Sequence, residues 1–97
     1  MDATAIKINE KDNVATALTD LDAGSQVSIK TEEEVIVTLL KDAIPFGHKF
    51  AVKKISQGDT VIKYGEIIGC ATRDIEIGEH AHIQNIESLR GRGDKKD

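Results

Sequence analysis

Three histidines carry most of the chemistry this chain offers. His80 and His82 sit two apart in Glu79-His80-Ala81-His82. On a strand, that spacing puts both on one face, about 6.6–6.8 Å apart along the chain. Two imidazoles so placed can share a metal ion, or orient the carboxylate and hydroxyls of a ligand. The same pair is compatible with the solvent face of an edge strand. Two histidines are an incomplete metal set, so further ligands would come from His48, an acidic residue or another subunit. His48 follows Gly47 in a loop that holds the single proline, Pro45. Glycine there allows close backbone approach to a ligand. A loop histidine that merely caps a strand would look the same. Lys63 and Tyr64, between Ile62 and Gly65, read as a hairpin tip. Their ammonium and hydroxyl suit a carboxylate or an alcohol, although a solvated turn with Tyr64 covering a small core is the plainer reading. The sequence has no HExxH, no CxxC and no phosphate loop.

The elements that must hold these groups are short strands. Residues 4–9 alternate, with Ile6 and Ile8 on one face, and read as a half-buried strand. Asn9 or Asp12 is placed to cap a short helical turn over residues 13–18. Residues 25–30 alternate again, and residues 35–40 (VIVTLL) form a β-branched run bounded by charge. Residues 50–52, 61–62, 67–72 and 81–83 are further strand candidates, punctuated by Gly58, Gly65, Gly69 and Gly78. The expected fold is mainly β, compact and strongly bent. One pattern recurs: Ala17-x-x-x-Leu21-x-x-Gly24, Ala51-x-x-x-Ile55-x-x-Gly58 and Ala71-x-x-x-Ile75-x-x-Gly78. It predicts similar corners, each with an apolar anchor (Leu21, Ile55, Ile75) turned inward and a glycine in a conformation other residues resist. The spacing is too irregular for a solenoid and suggests a pseudo-symmetric β knot.

Length and composition bound the rest. A chain of 97 residues points to one domain with a modest core. Aromatics are limited to Phe46, Phe50 and Tyr64, so Ile, Val, Leu and Ala must fill the interior. Function is then expected on a surface or at a shared interface. Thirteen basic and seventeen acidic residues give a net charge of −4, which argues against nucleic acid as a partner. The single cysteine, Cys70, excludes an internal disulfide and a Cys-rich zinc site, and fits a reducing cytoplasm. With no basic neighbour to lower its pKa it is expected to be buried and inert. There is no apolar run near 18 residues and no secretory leader, so no membrane partner is expected. The acidic residues 32–34 read as a solvated connection. The string Arg90-Gly91-Arg92-Gly93-Asp94 reads as a linker or docking strip, not as an adhesion motif.

From residue 44 to residue 94 the chain resembles the amino-terminal module of the altronate and galactarate dehydratase family, a SAF-type domain. The matching pieces are Pro45-Phe46-Gly47-His48-Lys49, Gly58-Asp59-Thr60-Val61-Ile62-Lys63-Tyr64-Gly65, Ile68-Gly69, Gly78-Glu79-His80-Ala81-His82 and the string from Asn85 to Asp94. Asp12-Asn13-Val14-Ala15 fits as well. The resemblance implies a β-clip fold over residues 1–89, with short helical turns, and a charged flexible tail over residues 90–97 leading to a large catalytic partner. It implies loss of water from a hexonate such as altronate, giving a 2-keto-3-deoxy acid. Such a reaction removes a proton α to a carboxylate and expels a β-hydroxyl, so it needs a cation, a base and an acid. The implied cofactor is a divalent metal, Fe2+ or Mn2+, held mainly by the large subunit. The implied roles are catalysis for His48, His80 and His82, a shared metal on His80 and His82, and substrate binding by Lys49, Lys63, Tyr64 and Asn85. The implied partners are the large subunit and a sugar acid, with homo-oligomerisation left open. One departure stands out: the family often has a third histidine after the His-x-His pair, and here that position is Gln84. The chain also looks similar to the small subunit of sulfolactate sulfo-lyase, where sulfite leaves by the same elimination logic. A non-catalytic carbohydrate-binding or assembly module is the alternative from another class.

Overall fold

The computed structural model describes residues 3–88, and in them the chain is built entirely from short strands and turns. The nine strands are β1 (Ala5–Ile6), β2 (Val14–Ala17), β3 (Gln26–Lys30), β4 (Val35–Leu39), β5 (Lys49–Ala51), β6 (Thr60–Lys63), β7 (Glu66–Ala71), β8 (His80–Ala81) and β9 (Ile86–Ser88). They form a six-stranded sheet, in the order β4-β3-β1-β2-β5-β8, and a three-stranded sheet, β6-β7-β9. Only β1 and β3 run parallel. The arrangement is the bent, mainly β architecture that the residue pattern predicts.

The walls of the fold are β2 and β5, which bury both of their faces. Ala15, Ala17 and Phe50 join Ile29, Leu40 and Ile44 in one core. Val14 and Ala51 join Ile55, Val61, Ala71, Ile75 and Ala81 in a second. A strand buried on both sides reads as a continuous apolar run and lacks the alternation of a surface strand. Phe50 is fully buried, and it alone supplies about 3 kcal/mol of transfer free energy.

Four corners, not three, share the predicted geometry. Leu21 and Ile44 exchange backbone hydrogen bonds of 2.8 and 2.9 Å, and Ile55 and Ile75 do the same at 2.9 and 2.7 Å. All four anchors are buried, as expected. The second half of the equivalence lies in the acids. The Asp20 carboxylate accepts the Phe46 N–H at 2.8 Å, and the Asp74 carboxylate accepts the Gln57 N–H at 2.8 Å. Each acid precedes one anchor and ties down the turn that follows the other.

Three local expectations are corrected. The helical turn over residues 13–18 does not form, because Val14–Ala17 pairs antiparallel with both β1 and β5. The capping groups serve a different purpose. Asp12 accepts the Asn9 N–H (3.0 Å) and the Gly65 N–H (2.7 Å), while Asn13 accepts the Ile62 N–H (2.8 Å) and donates to the Thr60 carbonyl (2.9 Å). Together they latch the β6–β7 hairpin onto the start of β2. Near the amino end, Ala5 and Lys7 are the buried residues and Ile8 is exposed, the reverse of the predicted face. Finally, Cys70 is half-buried and not fully enclosed. The tail expected over residues 90–97 lies outside the described residues.

Candidate functional site

His48 and His80 are brought together by the pairing of β5 with β8, in which Phe50 stands opposite His80. His48 leaves a corner at Gly47, whose φ of 83° is in the left-handed region that glycine tolerates. A Cβ there would meet nothing within 4 Å, so backbone shape and not close approach is what requires the glycine. His82 lies just past β8, where the chain turns. The Asn85 side chain, only 2 % exposed, accepts the His82 N–H at 2.9 Å and donates to the His80 carbonyl at 2.8 Å. Two further contacts fix His80. Its N–H donates to the Asp42 carboxylate at 2.9 Å, and the Gln84 amide lies 3.3 Å from its Nδ1.

The result is a stack of three imidazoles. Ring centroids are 5.1 Å apart for His48–His80, 4.4 Å for His48–His82 and 5.4 Å for His80–His82, with ring planes within 29° of parallel. His48 Nδ1 and His80 Nε2 lie 2.9 Å apart, so one ring carries the shared proton and the other accepts it. One ligand atom from each ring falls within 4.8 Å of the others. His80 is held below the ordinary histidine pKa by burial, then by His48 and His82, with Lys49 adding to this and Asp42 opposing it. His82 is lowered by burial, then by His48 and Lys49. Both therefore keep a free lone pair at neutral pH, the form that binds metal. Three imidazoles on one surface fit a divalent transition ion, with coordination positions left for ligands from elsewhere.

The other predicted residues divide into two groups. Lys49 stands opposite Thr16 on β2 and Ala81 on β8, beside the cluster. Its pKa is lowered by burial and by Lys63. Lys63 Nζ sits 5.0 Å from the centre of the Tyr64 ring, and the Tyr64 hydroxyl is 3.4 Å from Thr16 Oγ1. Lys49 borders the histidines, and Lys63 and Tyr64 adjoin it through the Lys63 charge and Thr16. Asn85 lies beneath the histidines, with its amide engaged by the backbone of the loop. Asp42 and Thr16 were not singled out from the sequence. Asp42 carries a weak signal, since Asp20 and Asp74 also stand just ahead of a corner anchor. Thr16 carries none. A concavity of about 360 Å³ elsewhere is lined by Glu10, Glu32, Glu33 and Glu34 and includes none of the histidines.

The sequence that builds this fold matches a recognised class. The chain belongs to the family described as the altronate/galactarate dehydratase SAF domain, which matches residues 3–89. Among individual proteins, it is 49 % identical over 83 residues to the altronate dehydratase of Escherichia coli K12, covering 86 % of this chain and 16 % of that enzyme. It is 41 % identical over 88 residues to the altronate dehydratase of Bacillus subtilis 168, again covering 16 % of that enzyme. The chain thus spans about a sixth of these dehydratases. It is also 35 % identical over 72 residues to (2R)-sulfolactate sulfo-lyase subunit alpha of Chromohalobacter salexigens, covering 72 % of this chain and 77 % of that subunit. Among the described residues, no helix is long and apolar enough to cross a membrane.

Proposed function

We propose that this chain is the small module of a cytoplasmic hydro-lyase of the altronate dehydratase type, and that its three-histidine surface is its share of an active site completed by a large catalytic partner. The observation that carries the reading is the convergence of His48, His80 and His82, with ligand atoms within 4.8 Å, on a domain of this family. His48 supplies the third imidazole that Gln84 withholds. The three residues would hold a divalent metal, Fe2+ or Mn2+, shared with ligands from the partner. When bound, such an ion supplies positive charge where negative charge develops beside the substrate carboxylate. The chain's own groups do the rest of the module's work. Asn85 and Asp42 fix the His80–His82 loop, and Lys49 adds a cation beside the histidines. The product would be a 2-keto-3-deoxy acid.

A second reading has its own support. The match to a sulfo-lyase alpha subunit covers 77 % of that subunit. One experiment separates the two: the chain and its large partner, with Fe2+ or Mn2+, are assayed on altronate, galactarate and sulfolactate. Turnover of altronate or galactarate supports the hydro-lyase, and sulfite release from sulfolactate supports the sulfo-lyase. Turnover of none of the three refutes both enzyme readings and leaves a non-catalytic binding module.

A further inference from the structure

The hairpin tip at Tyr64-Gly65 does not have the residue its geometry calls for. Lys63 pairs with Glu66, leaving a two-residue connection in which Tyr64 has a φ of 55° and Gly65 a φ of 82°. Positive φ at both positions is the turn that Asn, Asp or Gly normally opens, and a bulky aromatic side chain resists it. Tyr64 is the single non-glycine residue with positive φ among the described residues. A position that breaks its local rule is where a functional constraint is expected.

What the tyrosine gains is a place in a row. Its hydroxyl is 3.4 Å from Thr16 Oγ1, Thr16 stands opposite Lys49, and Lys49 stands opposite Ala81, which lies between His80 and His82. Lys63 lies against the tyrosine ring, 5.0 Å from its centre. The Asp12 and Asn13 bonds hold this hairpin tip against β2. Neither ammonium is in an ion pair among the described residues, where the salt bridge is Lys54–Glu76. Two like charges, one of them half-buried, therefore lie close enough to repel each other beside a hydroxyl, and neither is neutralised by an ion pair even though Glu66 stands opposite Lys63. An arriving anion would relieve their repulsion.

We propose that Lys49, Lys63 and Tyr64 form a carboxylate subsite beside the histidine cluster, which receives the acid group of a sugar acid and leaves its hydroxyls facing the imidazoles. The subsite rests on the hydro-lyase reading only for the identity of the anion. The two ammonium groups are donors only, and the phenol can turn its O–H from Thr16 to a ligand, a set that suits a carboxylate and is indifferent to the stereochemistry beyond it.

The test needs neither metal nor partner. The 97-residue chain in EDTA is titrated by NMR with D-gluconate, with sorbitol as the same polyol lacking the acid, and with methanesulfonate as a generic anion. Gluconate should shift the Tyr64, Lys49 and Lys63 signals in a saturable way, while sorbitol and methanesulfonate should bind at least tenfold more weakly. K49M and K63M should each weaken gluconate about tenfold or more, the loss of one charge-assisted contact. Y64N should weaken it too while leaving the urea midpoint unchanged or raised, since asparagine suits the turn. A merely structural tyrosine would show the opposite pattern. Equal binding of sorbitol or methanesulfonate, shifts confined to other residues, no binding at all, or unaltered affinity in both lysine variants would each overturn the subsite. Failure of turnover with the partner leaves this titration untouched, so the two readings fail separately.

Discussion

Replacing Asp12 tests the latch that holds the two sheets in register. Its carboxylate is fully buried and accepts two backbone N–H groups, Asn9 at 3.0 Å and Gly65 at 2.7 Å. In D12A both donors lose their partner. Bonds to a charged acceptor are worth about 1.5–3 kcal/mol each. Burying the carboxylate offsets part of that sum, since removing a charge from water has its own cost. The expected loss is therefore about 3 kcal/mol, a large share of the roughly 5–15 kcal/mol that stabilises a domain. With a urea m-value of about 1 kcal/mol/M, the midpoint should fall by about 3 M. D12N keeps one acceptor but turns an amide N–H toward a backbone N–H, so it should lose about 2 kcal/mol and remain measurable where D12A does not fold. The assay is urea unfolding followed by circular dichroism, with amide exchange at Gly65 as the local readout. The Gly65 amide should exchange faster in D12N than the amides of β2. A D12A loss below about 1 kcal/mol, or D12N less stable than D12A, would refute the reasoning.

Three further outcomes follow from the same structure. Gly78 has a φ of 91°, and a Cβ there would run into the Leu39 carbonyl oxygen, so G78A should cost at least about 2 kcal/mol in chemical denaturation, while alanine at Gly58, with nothing near its Cβ, should cost less. Because His80 and His82 are held below the ordinary histidine value of 6.5, the unfolded chain binds more protons in the window below pH 6.5. Stability should fall as pH drops through that window and level off above it, and the H80Q/H82Q double variant should flatten the dependence of the urea midpoint on pH. N85A breaks both bonds that shape the histidine loop and leaves the His82 N–H without its acceptor, while Gln84 still donates to the His80 carbonyl, at about 1–3 kcal/mol. It should also weaken Fe2+ or Mn2+ binding by about 10–100-fold in calorimetry, the range expected when a supporting residue is lost. Unchanged metal affinity in a folded N85A would remove Asn85 from that role.

Much of this could be read from residues alone. The corner pattern was legible because a buried anchor and a left-handed glycine each constrain residue type directly. Leu21, Ile55 and Ile75 point inward for that reason. Ile44, an equivalent corner, was hidden because Pro45 and Phe46 made its turn look like an ordinary loop. The start of the chain misled for a physical reason too. Ile6 and Ile8 carry the apolar pattern, yet Ala5 takes the inner position, fully buried opposite Ala17 on β2 and Ile29 on β3. The short strand β9, over Ile86–Ser88, gave no alternation long enough to notice. In the site, His-x-His was visible as a spacing. The arrival of His48 was not, because it depends on β5 and β8 pairing across 32 positions. Asp42 and Thr16 matter only through that same tertiary placement.

The distance in sequence between His48 and His80 has a bearing on folding order. The stacked rings exist only once a loop of this length has closed, and the Ile55–Ile75 corner pair and the β6–β7 hairpin both lie within it. Non-local closures of this kind are late and slow relative to local turns. The cluster cannot preassemble on a fragment, so a metal or ligand signal from these histidines doubles as a report that the chain has completed its topology.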